Sequence, residues 1–154
     1  MRQTDSVVPP SPTVTGCRWV QLRGASDPRG RISFVETGTD LDLPIRRAYW
    51  IHGVPVGKGR GHHAHRESRL ILMALSGATG LVLDDGQHRE TVRLDRPDLG
   101  MIVDAWVWHE LHDFAAGTVV LVLASTGYAE SDYIRDYADF LRDVKTRDRD
   151  DPFS

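Results

Sequence analysis

Cysteine is nearly absent. Cys17 stands alone in 154 residues, which excludes an intramolecular disulfide and fits a reducing compartment. Neither sign of charge dominates: 19 Lys and Arg face 22 Asp and Glu, a formal net charge of −3. Bulk electrostatics therefore give nucleic acid no reason to bind. No apolar run approaches the ~20 residues needed to span a bilayer. The opening MRQTDSVVPPSPTVTG lacks the basic start and apolar block of a secretory signal. Internal repeats of solenoid or propeller length are missing too. These absences lead us to expect a cytoplasmic protein with neither a membrane nor a nucleic-acid partner.

What remains suits one domain with a sizeable core. Residues 1–16 carry Pro9, Pro10 and Pro12 among small polar residues and read as a flexible N-terminal arm. From Cys17 the chain breaks into short runs divided by turn signals. RISFVE alternates between faces after the turn sequence DPRG, and IRRAYWIHGV is rich in aromatic and β-branched residues, as strands prefer. LILMALSG is apolar throughout, a strand buried on both faces. Asp85-Gly86 marks a hairpin between two alternating strands. GMIVDAWVWHELHDF and TVVLVLAS add further strands. The pattern predicts an all-β sandwich or barrel. Only near the C-terminus do Tyr133, Tyr137, Phe140, Leu141 and Val144 recur at helical spacing. One C-terminal helix is expected there, capped by Ser131 or Asp132. The domain is expected to span 17–145, and the charged residues 146–154 to form a fraying tail.

Histidine supplies the chemistry. RGHHAHRESRL places His62, His63 and His65 just ahead of the apolar strand. In extended chain His63 and His65 share one face and His62 takes the other. Two imidazoles inside a barrel are costly unless satisfied or used. Three readings are open. The pair could begin a metal site, with His109 as third ligand, although Arg66 and Arg69 nearby would repel a cation. It could perform metal-free acid–base chemistry, because imidazole titrates near ~6.5. Or it could be structural. Arg47 and Tyr49 share a face of their strand, a pairing suited to an oxyanion or phosphate. Arg29, Arg31 and Arg60 add positive charge for an anionic ligand. Trp106 and Trp108 could stack on a base or sugar, or fill the barrel mouth. Cys17 has no histidine partner in sequence and is not expected to be a nucleophile.

Taken in order, RGHHAH, IRRAYWI, LDDG, VWHELHDF and VLASTGYAESDYIRDYADFL resemble the nucleotide-sugar 3,4-ketoisomerases of deoxysugar biosynthesis, from about Arg29 to Leu141. The resemblance implies a cupin jelly-roll barrel, a dTDP-linked 4-keto-6-deoxy-hexose substrate, a homodimer, and no metal or other cofactor. It maps the catalytic pair onto His63 and His65, with Tyr49 beside the sugar. Arg29, Arg47, Arg60, Trp108 and His109 are expected to bind substrate, Arg29 across the dimer. The chain departs from the family pattern at Arg69-Leu70, Ile102 and Ala105, departures expected to affect the metal question and the sugar pocket. Two alternatives carry other functions: a non-catalytic nucleotide-sugar sensor, and a metal-dependent cupin enzyme using His63, His65 and His109.

Overall fold

The computed structural model describes residues 7–151. Twelve strands precede one helix: β1 (Cys17–Gln21), β2 (Arg23–Asp27), β3 (Gly30–Phe34), β4 (Arg47–His52), β5 (Arg60–His65), β6 (Leu70–Ser76), β7 (Thr79–Asp84), β8 (Arg89–Leu94), β9 (Leu99–Val103), β10 (Trp108–His112), β11 (Val119–Ala124), β12 (Tyr133–Ile134) and α1 (Tyr137–Asp150). Ten strands form two antiparallel sheets, ordered β1-β9-β6-β11-β4 and β12-β5-β10-β7-β8, while β2 and β3 make a separate ribbon. The fold is the expected jelly roll, built as two facing sheets rather than one closed barrel.

Side-chain alternation explains the layers. In the first sheet Leu70, Leu72, Met101, Val103, Val120 and Val122 point inward and meet Leu81, Leu83 and Leu111 of the second. Ile71, Met73 and Ile102 point outward, where Leu22, Leu41 and Leu43 cover them. From Leu70 to Ala74 the strand is therefore apolar at every position because both of its faces are buried there, as a continuous apolar run requires. The outer face of the second sheet buries Ala64 and Trp108 beneath Ile134, Phe140 and Val144. The β7–β8 hairpin turns where Asp85-Gly86 predicted. Gly86 takes φ +92, and Asp85 Oδ1 accepts from the amides of Gln87 and His88.

Three boundaries differ from expectation. The helix begins at Tyr137, not near Ser131, and its cap is Asp136, which accepts from Asp139 N at 2.9 Å. Residues 130–132 form a 3-10 turn, and Tyr133–Ile134 pair with β5. Strand alternation wins here because Ile134 can enter the outer core while Tyr133 turns toward His65. The helix also runs through the expected tail as far as Asp150, with Arg147 lying over the Trp106 ring at 5.4 Å. Residues 152–154 of that tail, and 1–6 of the arm, lie outside the described residues. The rest of the arm is anchored at its end: Val14 is only 2% exposed, and the amides of Thr13 and Thr15 donate to Glu90 and Asp85.

Candidate active site

The two sheets part between β4 on one side and β5 with β12 on the other. A cavity of about 590 Å³ opens there, lined among others by Arg47, Tyr49, Arg60, His63, Tyr133 and Arg135. A bulge shapes its inner wall: pairing steps from His109↔His63 to Glu110↔Gly61, leaving His62 unpaired. Gly61 sits at φ +84, where a Cβ would meet the His109 carbonyl at 3.0 Å. The motif's glycine thus permits the close approach that turns His63 inward.

His63, His65 and His109 form one cluster. Ring centroids lie 4.9 Å apart for His63–His65 and 4.6 Å for His63–His109. Tyr133 covers the pair, 4.9 Å from His63 and 4.5 Å from His65. His65 Nδ1 donates to Asp132 Oδ2 at 2.8 Å. The other Asp132 oxygen accepts from the Glu67 amide at 2.6 Å. With Nδ1 carrying the proton, His65 Nε2 keeps its lone pair. That atom, both nitrogens of His63, and Nε and Nη2 of Arg47 are buried without a protein partner. Buried polar atoms rarely go unpartnered, and here Arg47 and His63 line the cavity from its two sides, with His65 packed against His63.

The electrostatics separate the histidines. Burial, reinforced by His65, pushes His63 down to about 4. Burial also lowers His65, but there the Asp132 carboxylate works in the opposite direction. His109, fully enclosed, lies well below the ordinary imidazole range. All three are neutral at pH 7. Burial pushes the Tyr49 phenol up to about 12, with Tyr133 adding to the effect, so Tyr49 remains a hydrogen-bond donor. Burial and neighbouring carboxylates raise Cys17 to about 12 as well, which keeps its thiol inert.

Most expected site residues meet here: His63, Tyr49, Arg47 and Arg60 on the cavity wall, with His65 and His109 packed behind His63. Two do not. Trp108 belongs to the opposite face of β10 and packs under Tyr137 and Phe140. Arg29 sits at the tip of the β2–β3 ribbon, 90% exposed and paired with Asp27, away from its own chain's cavity. The departures at Arg69, Ile102 and Ala105 leave the cavity wall untouched. Arg69 pairs with Asp104, Ile102 lies in the outer core, and Arg69 and Ala105 line a different groove. Sequence reasoning missed Asp132, Tyr133, Tyr128 and Arg135. Tyr133 was hidden in the helical pattern, and Asp132 is separated from His65 by 67 positions. Only the phrase YAESDYIRDY pointed to that segment.

The model of the family described as "FdtA: WxcM-like, C-terminal" matches residues 15–145. A TDP-4-oxo-6-deoxy-α-D-glucose-3,4-oxoisomerase of Aneurinibacillus thermoaerophilus is 40% identical over 123 residues, covering 80% of this chain and 88% of that protein. The chain belongs to the FdtA family. Solved structures agree with that placement. A variant of the QdtA 3,4-ketoisomerase from Thermoanaerobacterium thermosaccharolyticum, in complex with TDP-4-keto-6-deoxyglucose, superposes with a TM-score of 0.85. It is 30% identical, over 88% of this chain and 98% of that one. The WlaRB TDP-quinovose 3,4-ketoisomerase from Campylobacter jejuni gives 0.80 at 35% identity, over 84% and 99%. Both of those chains are matched by this FdtA-family chain over nearly their whole length.

Proposed function

We propose that this FdtA-family protein is a sugar 3,4-ketoisomerase, acting on a TDP-linked 4-keto-6-deoxy-hexose and moving the ketone from C4 to C3. The observation that carries this is the Asp132–His65 pair, whose bare Nε2 lies with His63 beside a cavity lined by Arg47, Arg60 and Arg135. The arginines suit a nucleotide diphosphate. The histidines suit proton transfer between adjacent carbons.

The C4 ketone acidifies the C3 proton. His65 Nε2 removes it; the C–H electron pair enters the C3–C4 bond, and the C4 carbonyl oxygen takes the charge as an enediolate. His65 is the better carbon base because Asp132 stabilises the imidazolium that forms. His63, held neutral, has one donor and one acceptor nitrogen. It accepts the O3 proton and delivers one to O4. His65 then returns its proton to C4, and O3 becomes the carbonyl oxygen. No electrons leave the sugar, so no redox cofactor is required. Arg47 and the Tyr49 hydroxyl stabilise the oxyanion, the preorganised kind of contribution that matters most in such sites.

We propose metal-free chemistry, for which the cations around the cluster speak. Arg47 and Arg135 both act on His65, and Arg135 on His63; the same field opposes a divalent ion. The metal-dependent alternative has its own support, because donor atoms of His63, His65 and His109 lie within 4.8 Å of one another. Activity that survives a chelator, in protein free of metal by elemental analysis, separates the two. We also propose a cytoplasmic homodimer. Exposed Ile32 and Phe34 on the β2–β3 ribbon, and Leu75 beside it, offer apolar surface to a second copy, and the pairing would carry Arg29 to the partner's cavity. No helix among the described residues is long and apolar enough to cross a membrane.

The test is direct. Purified protein incubated with TDP-4-keto-6-deoxyglucose should yield the 3-keto isomer by NMR, and His65→Asn should abolish turnover while still binding TDP. Binding without conversion by the native protein would favour the sensor reading instead.

A further inference from the structure

On the other face of the second sheet, three donors converge that this reaction does not use. Glu110 Oε1 lies 2.8 Å from His112 Nε2 and 3.6 Å from His62 Nε2. Ligand atoms of all three residues fall within 4.8 Å of one another. The two imidazoles meet edge to face with centroids 5.1 Å apart. A tetrahedral zinc ion with bonds of about 2.0–2.1 Å needs donors roughly 3.3 Å apart, a spacing these distances bracket.

The surroundings hold the donors in place. Glu110's other oxygen, Oε2, accepts from Trp108 Nε1 at 2.8 Å and from Arg89 Nη2 at 3.0 Å. That grip leaves Oε1 turned toward the histidines, as outer partners commonly orient a metal-binding carboxylate. Arg89 also pairs with Asp84 at 2.8 Å, so two carboxylates offset its charge. His62 is the bulged residue of β5, at φ +60, a conformation that L-residues other than glycine rarely adopt. Bulges re-aim side chains, and this one brings the His62 ring beside His112. Gly59 crosses over the pair: a Cβ there would meet His112 Nδ1 at 2.8 Å and His62 Cε1 at 3.0 Å. The His62 and His112 side chains are 48% and 39% exposed, which leaves an entry path and room for water to complete a coordination shell.

The geometry points to a binding site for a late first-row divalent cation, zinc above all, formed by His62, Glu110 and His112 on the outside of the jelly roll. Two imidazoles and one carboxylate with an open position form a familiar zinc donor set, and imidazole does not suit calcium or magnesium, which take oxygen ligands. The ion clips β5 to β10 where their ladder is broken by the bulge. It stands back to back with His63 and His109 but uses none of the pocket's ligands.

Titration of the metal-free, full-length protein with zinc chloride by calorimetry tests this, with cobalt as a spectroscopic substitute that reports coordination geometry. One equivalent should bind the native protein and the His63→Asn/His65→Asn variant alike. His62→Ala/His112→Ala should weaken binding by more than about 100-fold and keep its isomerase activity in the presence of chelator. Arg89→Gln, which loosens Oε2, should weaken binding about tenfold. Three results would overturn the proposal: no zinc binding by the native protein, unchanged binding in His62→Ala/His112→Ala, or loss of binding in the pocket variant instead. Should the double variant not fold, His112→Gln alone should still weaken zinc binding, and unchanged affinity in that variant would equally overturn the proposal.

Discussion

Acid should destabilise the folded protein well before its carboxylates protonate, and His63 sets the scale. Burial, with His65 beside it, holds its imidazole at about 4 in the fold, whereas in the unfolded chain it titrates near ~6.5. Between those values the unfolded chain binds a proton that the folded protein refuses. This contribution to stability is intact above pH ~6.5, falls as pH drops, and is fully lost below pH ~4. At ~1.36 kcal/mol per pH unit the drop from about 6.5 to about 4 comes to about 3.4 kcal/mol. By pH ~4.5 about 2.7 kcal/mol of it has been lost, against a typical total stability of about 5–15 kcal/mol. His65 and His109 are lowered as well, so the native protein should lose more than His63 alone requires. Urea unfolding at pH 7.5 and 4.5 measures this in the native protein and in His63→Asn. The variant should lose about 2–3 kcal/mol less between the two pH values. Equal losses would show that His63 is hydrated in the fold and refute its assignment as a buried, neutral imidazole.

Asp132→Asn should lower kcat by about 10²–10⁴-fold with little change in TDP affinity. Because the carboxylate raises His65, the acid limb of the kcat/KM profile should move to lower pH in that variant; a limb that stays in place would detach Asp132 from the base. Arg47→Ala should reduce kcat/KM by about 10²–10³-fold, and Arg47→Lys should not restore it, since lysine lacks the guanidinium fork. Phe140→Ala should cost about 3–5 kcal/mol in urea unfolding while kcat stays near normal, because Phe140 packs on the face of the second sheet away from the cavity.

Much of this architecture could be read in advance because period-two alternation is strict. It set His63 and His65 facing one way and His62 the other, and it explained LILMA once both faces were taken as buried. The alternation that turns Leu111 into the inner core sends Trp108 outward, so Trp108's place under the helix was implicit in the strand. The C-terminal segment misled because Tyr133, Tyr137 and Phe140 are spaced four and three apart, a helical pattern, while a two-residue strand is too short to show a period of its own. Asp132 could not be found by spacing at all. Its partnership with His65 arises only when β12 returns to the edge of β5. The bulge at His62 was equally hidden, since a left-handed residue other than glycine leaves no mark in composition.

The most direct measurement of the central claim is the reaction run in heavy water with TDP-4-keto-6-deoxyglucose and followed by NMR. Shuttling by one buried base predicts a 3-keto product that retains at C4 hydrogen carried over from C3, and neither product nor exchange with His65→Asn. Conversion at a near-normal rate by that variant would contradict the account.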